Sequence, residues 1–102
     1  MINTIKRLLG VKPPADYKQL IADGAIILDV RTPGEFRGGH ARGAINMPLN
    51  TLHEYINKQK NKDRVIITCC ASGMRSGSAK GMLQKAGFAH VHNAGPWNNL
   101  NF

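Results

Sequence analysis

Cysteine is scarce in this chain: 2 in 102 residues, side by side at Cys69 and Cys70. Adjacent cysteines cannot staple distant parts of a fold, and they lack the paired spacing of a zinc site, so a disulfide scaffold is excluded and no metal is expected. Long hydrophobic runs are also missing. Ala25–Leu28 and Val65–Ile67 fall far short of the roughly 20 residues that cross a bilayer, which argues against membrane insertion. Aromatic residues are few, at 6%, and do not alternate with basic ones as a base-stacking groove requires. Dedicated nucleic-acid binding is therefore not expected. Acidic residues number 6 against 14 Lys plus Arg, a formal net charge of +8 that favours anions and acidic protein surfaces. The run Lys58, Lys60, Lys62 reads as a solvated face.

What is present suits one small domain. A chain of this length buries roughly 65% of the surface it exposes when unfolded, enough for a single core. Residues 1–13 form an N-terminal extension and 14–102 the domain. Within the extension, Lys6 and Arg7 among Ile2, Ile5, Leu8 and Leu9 predict a short amphipathic helix, unlike a signal peptide, and a cytoplasmic location is expected.

From residue 15 onward two kinds of apolar stretch alternate. Tyr17, Leu20 and Ile21 are spaced for a helix over 16–22, stopped by Gly24. Ala25–Leu28 is apolar on both faces, as a strand covered on both sides should be, and ends at Asp29. Residues 31–43 read as a loop with a turn at Pro33-Gly34 and one helical turn at Glu35–Arg37. Ala44–Met47 predicts a short strand, and Thr51 with Glu54 resembles a capping box for a helix through Gln59. Residues 64–69 predict a central strand, 76–85 a helix with Ala79, Met82 and Leu83 inward, and His90–His92 a last strand before an irregular end from Gly95. Gly77 and Gly81 are expected to let that helix approach the sheet closely. Alternation of this kind gives an α/β fold with a small, mostly parallel sheet and helices on both faces. Ligands then sit beyond the carboxyl ends of the strands, which places Asp29–Arg31 and Cys70–Arg75 on one rim.

The segment Cys70-Ala71-Ser72-Gly73-Met74-Arg75-Ser76 lies between a buried strand and a helix start. A tight loop with Gly73 turns its N–H groups inward, and the free N–H groups of the helix add positive potential. A cysteine at the mouth of such a cradle has a depressed pKa, with Arg75 as an added cation, which makes Cys70 a nucleophile candidate. A cysteine at a strand end is more commonly only a small apolar residue. Arg75 decides between the two readings, because a guanidinium five residues on supplies a fixed cation for an oxyanion.

Two motifs together resemble the rhodanese family over residues 14–98. Leu28-Asp29-Val30-Arg31-Thr32-Pro33-Gly34-Glu35-Phe36, continuing through Gly39-His40-Ala41-Arg42-Gly43-Ala44-Ile45-Asn46-Met47-Pro48, resembles its signature segment, and Cys70–Ser76 its active-site loop. The resemblance implies a rhodanese-like domain and a cofactor-free sulfurtransferase. Cys70 takes sulfur from a small anionic donor such as thiosulfate, as a persulfide, and yields it to cyanide or a thiol. Ala71, Ser72, Gly73, Met74, Arg75 and Ser76 form the anion site. Asp29 and Arg31 brace the rim, and Glu35 and His40 contribute an ion pair or a loop-bracing hydrogen bond. A carrier module that exchanges sulfur only with protein partners, an acidic sulfur-relay protein among them, is the alternative. Four residues separate Cys70 from Arg75, whereas related phosphatase-type domains have five, so phosphatase activity is the weaker competitor. The family's Gly-Gly before Trp97 is Ala94-Gly95 here, and Ala41 replaces a larger aliphatic residue, departures that touch packing. Cys69 is assigned to packing rather than to a resolving thiol, and His90 and His92 to a solvated strand face.

Overall fold

The computed structural model describes residues 15–102; the amphipathic helix expected near the N-terminus lies outside them. Helix α1 (Tyr17–Ala22) is capped by the Asp16 side chain, which accepts from Gln19 N–H. Strand β1 (Ile26–Asp29) leads into α2 (Pro33–Arg37), and β2 (Ile45–Asn46) is followed by a 3-10 turn (Leu49–Thr51) and α3 (Leu52–Lys58). Then come β3 (Val65–Cys70), α4 (Met74–Lys85), β4 (His90–Pro96) and a final 3-10 turn (Trp97–Leu100).

All four strands are parallel, in the order β2-β1-β3-β4. The central strand β3 shows why the sheet is covered twice. Its side chains alternate between faces. Ile66 and Cys70 join Leu28, Val30, Leu52, Ala79, Leu83 and Phe88 beneath α3 and α4, while Ile67 and Cys69 join Ile27, Ala41, Ala94 and Leu100 beneath α1 and Trp97. Leu28, Leu52, Ile66, Ile67 and Leu83 are wholly buried, each stabilising the fold by about 1.5–3 kcal/mol.

Several boundaries differ from the sequence expectation. The capping box is at Thr32, not Thr51. The Thr32 hydroxyl accepts from Glu35 N–H while the Glu35 carboxylate accepts from Thr32 N–H, and Pro33 starts the helix where a turn was expected. Thr51 instead donates to Pro48 O, because the 3-10 turn before α3 already occupies the capping position. Helix α4 begins at Met74, two residues earlier than expected, so the loop after Cys70 is only Ala71–Gly73. Strand β4 continues through Gly95 and Pro96. Thr68 pairs with Asn93 and Cys69 with Gly95, so Ala94 is an extra residue, and the bulge re-aims the end of the strand. Gly81 is exposed, with open space where a Cβ would go, and only Gly77 is closely approached, its Cβ position lying 3.4 Å from Asn93 Nδ2. No helix among the described residues is long and apolar enough to cross a membrane.

Candidate active site

Cys70 is the last residue of β3 and is wholly buried. Gly73, with φ +102°, turns the chain so tightly that its own N–H donates to Cys70 Sγ at 2.9 Å. A side chain at Gly73 would be strained by that φ, and its Cβ would stand 3.3 Å from Gly95 Cα. Because Gly73 is the N-cap of α4 and has no side chain, the first-turn N–H groups need another acceptor. The Cys70 sulfur takes that part by accepting from Ser76 N–H at 3.4 Å. The Ser76 hydroxyl lies 3.3 Å from the same sulfur. Burial pushes the thiol up, but the Ser76 hydroxyl and the N–H groups of Ser76, Gly73 and Ser72 outweigh it and hold Cys70 below the ordinary thiol value. Cys69 has none of these donors, and burial with the nearby Asp29 carboxylate pushes it up to about 12.

Arg75, expected from the sequence as a fixed cation of the anion site, already has a carboxylate partner in the structure. Its guanidinium forms a two-pronged bridge to Glu35, at 2.7 and 2.9 Å. Bridged to Arg75 and capped by Thr32, the Glu35 carboxyl falls to about 2. The donors that lower Cys70 most are the Ser76 hydroxyl and the loop N–H groups, while the Arg75 guanidinium is bridged to Glu35. Ala71, Ser72 and Met74 are exposed around the loop, Met74 at 81%. Beside Arg75 a cavity of about 280 Å³ is lined by Val30, Thr32, Pro48, Leu49 and Asn50; Cys70 is not in its wall.

Asp29 and Arg31 stand on the opposite face of the sheet from Cys70. Arg31 donates from Nε and a terminal nitrogen to the Asp29 carboxylate at 2.8 and 2.6 Å, and to the carbonyls of Gly39 and Glu35. Its guanidinium lies 5.0 Å from the centre of the Trp97 ring, which also packs against Gly39. The pair thereby holds the backbone of Glu35, whose side chain holds Arg75. His40 does not reach the loop. Its ring stacks on Phe36 at 3.7 Å and its Nδ1 bonds Phe36 O. Among the described residues no group of three His, Cys, Asp or Glu is placed to hold a metal ion.

Three polar residues escaped the sequence reading. Asn93 accepts from the Ser76 hydroxyl at 2.6 Å and donates to Gly73 O at 3.2 Å, tying β4 to the loop. Buried Thr68 donates to Ser76 O. Asn46 donates to the carbonyls of Asp29 and Arg31. A polar side chain amid an apolar strand was the only available signal for Thr68.

The profile described as "Rhodanese-like domain" matches residues 13–95. "Thiosulfate sulfurtransferase PspE" of Escherichia coli is 39% identical over 69 residues, 67% of this chain and 66% of that protein. "tRNA uridine(34) hydroxylase" of Enterococcus faecalis is 33% identical over 84 residues, 76% of this chain but only 27% of that protein. The solved structure described as "rhodanese with anions from E. coli" superposes with a TM-score of 0.69 at 35% identity, over 74% of this chain and 91% of that one. With a parallel sheet that ends in a cysteine cradled by backbone N–H groups, and with a family match over most of its length, the chain belongs to the rhodanese-like domain family.

Proposed function

We propose that the protein is a sulfurtransferase whose Cys70 thiolate attacks the outer sulfur of a small anionic donor such as thiosulfate. The S–S bond of the donor breaks, sulfite leaves with the electron pair, and Cys70 carries a persulfide. An acceptor, cyanide or a thiolate, then attacks the outer persulfide sulfur and restores the Cys70 thiolate. The observation that carries this reading is the Cys70 sulfur accepting N–H bonds from Gly73 and Ser76 at the start of α4. Such donors favour the thiolate before attack and stabilise it again as leaving group. The three-residue loop Ala71–Gly73 leaves a narrow cradle, which favours sulfur over a tetrahedral phosphate. Arg75 binds an anionic donor by exchanging Glu35 for it, since both prongs of its guanidinium are engaged in the free protein.

Incubation with thiosulfate followed by mass spectrometry should find one added sulfur on the peptide that holds Cys70, with no Cys70-dependent hydrolysis of an aryl phosphate. Phosphate hydrolysis without sulfur loading would reverse the assignment. A carrier that trades sulfur with protein partners is the second reading, favoured by the exposed apolar Met74 at the loop. It predicts negligible thiosulfate:cyanide turnover by the protein alone together with ready loading from a cysteine desulfurase.

A further inference from the structure

The Ser76 hydroxyl has one hydrogen and two neighbours that can accept it. Asn93 Oδ1 stands 2.6 Å away and Cys70 Sγ 3.3 Å away. The orientation of the Asn93 amide is set independently. Gly95 N–H donates to its oxygen at 2.9 Å, and its nitrogen donates to Gly73 O at 3.2 Å. Ser76 therefore faces the acceptor end of the amide and must donate to it. With its hydrogen so committed, the hydroxyl offers the sulfur only a lone pair. That suits a thiol, whose S–H donates to Ser76 Oγ and completes the chain Cys70–Ser76–Asn93. It opposes a thiolate, which needs the hydroxyl to donate.

We propose that Asn93 is a positioning residue for chemistry at Cys70: it competes with the sulfur for the Ser76 hydroxyl hydrogen, and the rotation of that hydroxyl sets how readily the thiolate forms. In the thiol the hydrogen points to Asn93. When the S–H proton leaves to solvent, the hydroxyl turns toward the sulfur, no covalent bond of Ser76 breaks, and Asn93 Oδ1 keeps Gly95 N–H. The surroundings make this rotation decisive. Ser76 is wholly buried, Thr68 Oγ1 holds its carbonyl at 2.9 Å, and its N–H already serves the sulfur, so only the hydroxyl can turn. The ionisable groups on the surrounding elements include Arg75 and Lys80 on α4, Glu35 on α2, Cys69 on β3, Asp29 and Arg31 at β1, Tyr55 on α3, Tyr17 on α1 and His92 on β4. Among the described residues none of these side chains hydrogen-bonds the Cys70, Ser76 or Asn93 side chain; Tyr17 reaches only the Asn93 carbonyl.

The proposal deepens the sulfurtransferase reading and rests on Cys70 being its nucleophile, but its test does not need sulfur transfer. The rate of Cys70 alkylation by iodoacetamide is followed against pH, with the modified residue identified by tandem mass spectrometry, in the wild type and in Asn93→Ala, Ser76→Ala and the double variant. Freed of its competitor, the hydroxyl should serve the thiolate, so Asn93→Ala should lower the apparent Cys70 pKa, raising the thiolate fraction roughly three- to tenfold below it. Ser76→Ala should raise that pKa, and adding Asn93→Ala to it should change nothing. An Asn93 that merely props the loop through Gly73 predicts the opposite sign, since a displaced Gly73 N–H raises the pKa in both backgrounds. An unchanged or raised pKa in Asn93→Ala, or an equal shift with and without the Ser76 hydroxyl, overturns the proposal. Should Asn93→Ala not fold, Asn93→Asp supplies the test: a stronger acceptor for the hydroxyl should raise the pKa, and by less in the Ser76→Ala background. Failure of the wild type to load sulfur would count against the sulfurtransferase reading alone.

Discussion

Cys69 and Cys70 are the same residue type, adjacent on one strand and both inaccessible to solvent, yet their thiols are shifted in opposite directions. Cys69 faces Ile27, Ile67, Ala94 and Leu100, and burial with Asp29 pushes its thiol up to about 12. Cys70 faces the start of α4, where the Ser76 hydroxyl and three N–H groups offset burial and bring it below the ordinary thiol value. Burial raises both thiols, and what separates them is whether the face also carries donors that outweigh it, which in a strand is settled by a single residue of register.

The strongest way to break this contrast is to exchange the sulfurs one at a time. Cys70→Ser should abolish sulfur loading with the fold intact, and Cys69→Ser should keep it, at a stability cost of about 1–3 kcal/mol for an unpaired buried hydroxyl. Loading that survives in Cys70→Ser, measured by mass spectrometry with circular dichroism as the fold control, would remove Cys70 as the nucleophile.

Next in size is selective alkylation. At pH 8 a thiol with a pKa of about 12 is thiolate in roughly one molecule in ten thousand, so iodoacetamide should modify Cys70 and leave Cys69 untouched until the protein unfolds. Comparable rates at the two residues in the native protein would show that the faces do not differ as described.

The same contrast should appear, with opposite signs, in stability against pH. The folded-state pKa of Cys69 is raised above its ordinary 9.0, so the unfolded chain loses that proton first, and stability should fall as pH rises from 9 toward 12. The slope is on the order of 1.4 kcal/mol per pH unit. Cys70 is lowered from 9.0, so it adds stability that is present above 9.0 and lost as pH falls through its folded value. Urea melts of Cys69→Ala should show a flatter decline above pH 9 than wild type, and those of Cys70→Ala should lack the gain in stability that wild type shows as pH rises toward 9.

The smallest effect concerns Arg75, whose guanidinium is bridged to Glu35. Glu35→Gln should release the guanidinium and lower the KM for thiosulfate by about threefold, while Arg75→Gln should raise it, since exposed bridges are weak. The Glu35 carboxyl titrates at about 2, below its ordinary 4.5, so the bridge persists above 4.5 and is lost only as pH falls through 2. Steady-state kinetics at pH 6 and 8 should therefore give the same ratio of variant to wild-type KM.

Local pattern was enough to read the alternation of helices and strands, the burial of 66–69, the strand-loop-helix setting of Cys70 and the placement of Asp29 and Arg31 on the rim. Each rests on side chains within about one turn or one strand of each other, where spacing translates directly into a shared face. The two motifs that resemble the rhodanese family are legible for the same reason, being contiguous. The early start of α4 was hidden because its capping acceptor is a sulfur three residues before Gly73, a partner that residue preferences at the N-cap do not describe.

What the fold alone decided are contacts between segments far apart in the chain. Glu35 meets Arg75 across 40 residues and Ser76 meets Asn93 across 17. The first needs Arg31 to hold the backbone of α2 against the rim, and the second needs the β4 register that pairs Asn93 with Thr68. An asparagine in the fragment His92-Asn93-Ala94 carries no local mark of that role. Its chemistry comes from the register of β4 on β3, and register is set by the packing of the whole sheet.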